Sequence, residues 1–136
     1  MKTTEKQQSI NKIAALCIKD NKLLVVYKPS IALYITPGGK IESGETELEC
    51  LQREIKEELG CHIKNPTHYT TFQGKTPDGK KLRISCYLCI LEGQIKINPH
   101  DSINGHRWIP IDQNQELPLA PMLKSHIIPA LSQRLT

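Results

Sequence analysis

Apolar residues along this chain fall mostly in short alternating or continuous runs, and in two stretches they recur at spacings of three and four. Residues 13–19 and 23–27 are rich in aliphatic and β-branched side chains and flank Asp20-Asn21-Lys22, a composition suited to a reverse turn, so together they predict a β-hairpin. A short apolar segment at 31–35 runs into Thr36-Pro37-Gly38-Gly39, where proline and paired glycines interrupt regular structure and predict a loop with accessible backbone groups. Leu48, Leu51, Ile55 and Leu59 carry the helical spacing. Thr46 followed by Glu49 is a capping-box pattern and Gly60 a stop, so a helix is predicted over 46–59. Strands are predicted at 69–72 and 82–91, joined by the turn-rich residues 74–79, with shorter apolar pieces at 95–97 and 107–111. From Pro121 onward Met122, Leu123, Ile127, Ile128, Leu131 and Leu135 predict an amphipathic terminal helix, which Pro129 should kink or break. Residues 1–9 read as a polar tail and 10–136 as a single domain.

Composition agrees with that layout. The chain has 136 residues, 24% charged, 38% hydrophobic and only 4% aromatic. Such a chain suits one globular domain with an aliphatic core and excludes disordered and collagen-like classes. No apolar run approaches the ~18 to 20 residues that cross a bilayer, and the first ten residues lack the apolar stretch of a secretory signal. The expectation is a cytoplasmic protein without a membrane partner. Five cysteines, an odd number without secretory context, predict reduced thiols. Cys86 and Cys89 sit three apart in a strand-like run, so their sulfurs should point to opposite faces and neither chelate zinc nor pair.

The net charge of +4 first suggests a polyanionic partner such as nucleic acid, but the average conceals a division. Residues 42–58 hold seven acids against two bases, a net charge of −5, which leaves +9 for the remainder. Like charges at i,i+4 on a helix cost ~0.2 to 0.5 kcal/mol per pair, so the acidic helix needs either full solvation or an outside cation. Glu54, Glu57 and Glu58 stand at i, i+3 and i+4, on the side away from the leucine stripe. Oxygen ligands of this kind suit a hard divalent cation, and Mg²⁺ commonly shares a few carboxylates with waters and substrate phosphates.

Spacing separates a metal site from a merely solvated acidic face. From Gly39 the chain reads five residues, Glu45, seven residues, then Arg53-Glu54-Ile55-Lys56-Glu57-Glu58-Leu59-Gly60-Cys61. This resembles the Nudix box, whose seven fixed positions all match. At usual residue frequencies that has a chance probability of order 10⁻⁸ or less at one start. Cys61 replaces the aliphatic residue that closes the box, and cysteine behaves as a small hydrophobe.

The resemblance implies an α/β fold, an α/β/α sandwich around a central mixed β-sheet. It also implies Mg²⁺-dependent, or Mn²⁺-dependent, hydrolysis of a nucleoside diphosphate linked to another group, with water attacking phosphorus. By position it makes Glu54, Glu57, Glu58 and the Gly38 carbonyl metal ligands, and Arg53 with Glu45 a supporting ion pair. Glu54 is the first choice of general base, with Asp101, His100 and His106 in a later loop as alternatives. Lys28 would contact substrate phosphate, with Lys40, Lys80, Lys81 and Arg83 adding attraction, and Tyr34 or Phe72 would stack on a base or belong to the core.

The expected substrate is a small-molecule nucleotide, foremost a nucleoside triphosphate cleaved to the monophosphate and pyrophosphate, in a monomer or homodimer without a stable nucleic-acid partner. Pro77, sixteen residues after Cys61, has a spacing associated with ADP-ribose hydrolases and keeps ADP-ribose as the alternative. A noncatalytic nucleotide- or RNA-binding module of the same family is the other alternative. It has no need for three intact glutamates.

Overall fold

The computed structural model describes residues 9–76, 78–98, 102–111 and 116–135. Most of the polar tail, Pro77, His100 and Asp101, and the side chain of Leu135 lie outside these residues.

The predicted first strand is in fact two. β1 (Ile10–Leu16) ends at Cys17, and β2 (Ile18–Lys19) continues in a different sheet. Only β2 forms the expected hairpin, pairing with β3 (Lys22–Lys28) through Asp20 and Asn21 at φ 54° and 60°. Two consecutive left-handed residues give the turn a twist that matches the strands, and Asp and Asn tolerate that conformation. β1 instead pairs parallel with β7 (Lys81–Glu92) and antiparallel with β5 (Gly38–Lys40). The Pro-Gly-Gly segment is therefore a loop only up to Pro37, and its glycines form a short edge strand.

Two sheets result. The mixed sheet runs β5-β1-β7-β6, with β6 at His62–Lys75, and the smaller antiparallel sheet joins β2, β3, β4 (Leu33–Ile35) and β8 (His106–Pro110). β6 extends well beyond the predicted 69–72, because its first half is polar and contains Pro66, which breaks the strand signal. Pro66 is tolerated because β6 is an edge strand and the pairing slips between Lys64 and Thr67. Residues 95–97 form no strand, although Lys96 N–H donates to the Leu59 carbonyl at 2.8 Å.

The helix α1 spans Glu47–Leu59. Thr46 accepts from Glu49 N–H, the Glu49 carboxylate accepts from Thr46 N–H, and Gly60 closes the helix at φ 66°. Its buried face is Cys50, Leu51, Ile55, Glu58 and Leu59, whereas Leu48 is exposed, so the stripe is rotated from the predicted one. This face packs on Ile13, Ala15, Leu24, Val26 and Tyr87. The other face of the strands carries Ala14, Leu16, Val25 and Ile84 against Leu123, Ile127 and Leu131 of the terminal helix, which completes the α/β/α sandwich. Cys86 belongs to one cluster and Cys89 to the other, so they diverge as the strand period predicts. Cys89 Sγ instead lies 3.7 Å from Cys17 Sγ.

Pro129 does not break the terminal helix. A π-helical turn at Leu123–Ile127 precedes α2 (Ile128–Leu135), and Ile128 N–H donates to the Leu123 carbonyl five residues back. Widening the turn ahead of the proline removes the clash its ring would make in a regular helix. Among the described residues no helix is long and apolar enough to cross a membrane.

Ile55 is fully buried at the centre of the α1 interface. Ile55→Ala is expected to lower unfolding free energy by ~2 to 5 kcal/mol, read as a lower urea midpoint at unchanged slope.

Candidate active site at the acidic helix

α1 delivers three glutamates to one edge of the mixed sheet, where β5 passes beneath its second half. They are not equivalent, and they are not all on the solvent side as helical spacing alone suggests. Glu58 is buried at 8% exposure and accepts from Gly38 N–H at 3.1 Å. The Glu54 carboxyl lies close over Gly39, in the space a Cβ would take, so a side chain there would displace the carboxyl from its present place. Burial raises the pKa of Glu54 above the usual carboxylate range, with the Arg53 guanidinium acting in the opposite direction. Glu57 is the most exposed of the three, its side chain 57% accessible.

Arg53 ties this edge together. Its Nε and Nη2 donate to the two oxygens of Glu45 at 2.6 and 3.1 Å, a bidentate fork, while Nη1 reaches Glu54 at 3.0 Å and Glu57 at 3.3 Å. Nη2 also donates to the Lys40 carbonyl at 3.3 Å. Arg53 thus joins α1, the loop before it and strand β5, as the sequence pattern implied for Arg53 and Glu45. The fork, helped by Glu42 N–H, lowers Glu45 to about 2. Among the described residues no three His, Cys, Asp or Glu side chains are already gathered as ion ligands. Glu54 and Glu57 are turned to Arg53, and Glu58 to the Gly38 amide.

Gly38 and Gly39 at this edge also line a cleft, together with Thr36, Lys12 and the start of the terminal helix, and its apolar wall includes Ile84, Leu123 and Ile127. Sequence reasoning missed Lys12. It stands at an inward position of β1, in register with Ala14 and Leu16, and the only signal was a lysine at the head of an apolar run. Burial pushes its pKa down, as do Lys28 and Lys40, against the pull of Glu58 and Glu54. Glu47 was missed too. It accepts from Tyr87 Oη at 2.6 Å and Ser85 Oγ at 2.9 Å, anchoring the start of α1 to β7, and no local pattern links residues forty apart.

The other predicted contacts divide. Lys28 ends β3 near enough for its charge to act on Lys12. Tyr34 and Phe72 are not among the residues lining the cleft. Tyr34 packs edge-on against Tyr27 at 5.0 Å, and Phe72 lies edge-on to His126 at 5.8 Å, so the core alternative describes both. Lys80 pairs with Asp78 and Arg83 with Glu47. His106 begins β8 and lines a separate cavity with Cys17, Cys89 and Trp108.

Comparison with known proteins bears on the family and the fold. The NUDIX domain model matches residues 11–131. The uncharacterized Nudix hydrolase YvcI of Bacillus subtilis is 31% identical over 105 residues, covering 75% of this chain and 66% of that protein, so the chain spans just under two thirds of its length. The CTP pyrophosphohydrolase of Escherichia coli is 25% identical, with 82% of this chain and 84% of that protein covered. Among solved structures, the MutT NUDIX hydrolase from Burkholderia pseudomallei superposes with a TM-score of 0.75 at 21% identity, covering 94% of this chain and 98% of that one.

The lowered pKa of Glu45 sets a pH dependence. A carboxylate that stays ionised in the folded state down to about 2, against an ordinary value of 4.5, stabilises the fold above pH 4.5 and loses that contribution as pH falls toward 2. The stability of the native protein is therefore expected to fall more steeply between pH 4.5 and 2 than that of Glu45→Gln, compared by thermal melts across that range.

Proposed function

This chain belongs to the Nudix family, and from that premise we propose that it is a Mg²⁺-dependent pyrophosphohydrolase that cleaves a nucleoside triphosphate to the monophosphate and pyrophosphate. The observation that carries the reading is the row of Glu54, Glu57 and Glu58 on α1 beside Gly38 and Gly39, two residues that also line a cleft with an apolar wall. The curated relative named CTP pyrophosphohydrolase, matched over most of both chains, supports a nucleoside triphosphate as substrate.

The donor set fits the metal. It is all oxygen, two of its carboxylates, Glu54 and Glu57, already take up a cationic group in Arg53, and Gly39 leaves free the space that the Glu54 carboxyl fills. Glu54, Glu57, Glu58 and the Gly38 carbonyl would hold Mg²⁺, or Mn²⁺ in its place. When bound, such an ion neutralises diphosphate charge and lowers the pKa of water.

The rest falls to the protein's own groups. Glu54, half-buried and raised in pKa, is the proton acceptor for the attacking water. Arg53 is a positioning residue, holding Glu54 and Glu57 against the loop through Glu45 and the Lys40 carbonyl. The apolar wall takes the nucleoside, and Lys28 and Lys40 attract its phosphates as point charges. Water adds to one phosphorus of the anhydride, the bridging oxygen leaves with the other, and Glu54 takes the released proton.

The test is product identification with Mg²⁺ or Mn²⁺ across ribo- and deoxynucleoside triphosphates, oxidised nucleotides, ADP-ribose and dinucleoside polyphosphates, read with and without added inorganic pyrophosphatase. Monophosphate plus pyrophosphate from a triphosphate is the expected result, and no turnover of any member of the panel would remove the enzyme reading. Glu57→Gln, at an exposed position, should leave the melting temperature unchanged and lower kcat by about 100-fold or more. Activity within twofold of the native enzyme would overturn the metal-site assignment.

A further inference from the structure

Lys12 lines the cleft, and Lys40 and Lys28 stand near enough for their charges to act on it, which gathers more positive charge than an esterified diphosphate needs. Lys12 on β1 and Lys40 on β5 are direct partners across an antiparallel pair, so their side chains leave the sheet on the same face. Like charges directly opposite one another destabilise such a pair. Lys28 approaches from the other sheet, and its charge acts on Lys12 together with that of Lys40. Among the described residues, none of the three ammonium groups has an ion pair or a hydrogen bond. Glu58 and Glu54 also attract Lys12, against the repulsion of the two lysines.

Lys12 is the costly member. It is half-buried and lines the cleft, whereas Ala14 and Leu16, which follow it on the same face of β1, belong to the core. A lysine at such a position loses hydration, and here its cross-strand neighbour also repels it. An anion in the cleft reverses both costs.

We propose that Lys12 is a specificity-determining residue that grips the terminal phosphate of a nucleoside triphosphate and so favours triphosphates over diphosphates esterified to a second group. The inference rests on the hydrolase reading above and concerns the same cleft. Its chemical basis is charge. A terminal phosphate carries about −1.5 to −2 near neutral pH, whereas a phosphoryl group esterified on both sides carries a single charge. Metal held by the glutamates offsets charge at the bond to be cleaved, and the lysines meet what remains. A diphosphate bearing a second sugar has no terminal phosphate to place against Lys12.

The test compares native enzyme, Lys12→Gln and Lys12→Arg with Mg²⁺ on the best triphosphate and on ADP-ribose, using the inhibition constant for ADP-ribose if it is not turned over. Lys12→Gln is expected to lower kcat/KM for the triphosphate by about 10- to 100-fold, mainly through KM. Its effect on ADP-ribose should stay within twofold, and Lys12→Arg should recover most of the loss. The melting temperature of Lys12→Gln should be unchanged or higher, because one repelling charge is gone. An equal loss on both substrates, or no loss on the triphosphate, would overturn the role of Lys12 while leaving the hydrolase reading intact. A native enzyme that turns over neither substrate overturns that reading and this inference with it.

Discussion

The Arg53 fork on Glu45 is the constraint from which the site's geometry follows. Three glutamates within five residues of one helix repel each other, and a helix bearing them gains nothing from approaching a loop that also carries Glu42 and Glu45. Arg53 reverses the balance. One planar guanidinium holds both oxygens of Glu45, reaches Glu54 and Glu57, and donates to the Lys40 carbonyl on β5. The angle of α1 over the glycine strand is therefore fixed by a group whose donors point in set directions, which an ammonium would not do.

Around that fork the charges are sorted by element. Acids occupy α1 and the loop before it, and Lys12, Lys28 and Lys40 come from β1, β3 and β5. Each set is unfavourable alone. A divalent cation suits the first and a polyphosphate the second, and a nucleotide with its metal meets both at once. Stability is given up at this edge of the molecule, while the two hydrophobic clusters on either side of β1 supply it elsewhere.

The backbone exceptions fall at the same junctions. The Glu54 carboxyl occupies the space above Gly39 where a Cβ would stand, and Gly38 lies where a Cβ would strike the Ile13 carbonyl. Cys17 marks the point where the chain leaves one sheet for the other. The π-helical turn before Pro129 lets the terminal helix continue and keep Leu123, Ile127 and Leu131 against the cleft wall and core.

The sequence by itself determined what depends on near neighbours. Thr46, Glu49 and Gly60 define the ends of α1 because caps are local hydrogen bonds, and the spacing of Gly39, Glu45, Arg53, Glu54, Glu57 and Glu58 identified the family because one loop and one helix carry it. Tertiary structure decided what depends on distant partners. Helical period put Glu58 among solvent-facing acids, but the Gly38 amide draws it into a buried position. Alternation joined residues 13–19 into one strand, but pairing with β7, some seventy residues on, pulls β1 into another sheet. Lys12 lay outside the predicted first run and drew no notice until β5 set Lys40 beside it. A local pattern records which face a residue takes relative to its own element. Which element will cover that face is settled only when the remote segments pack.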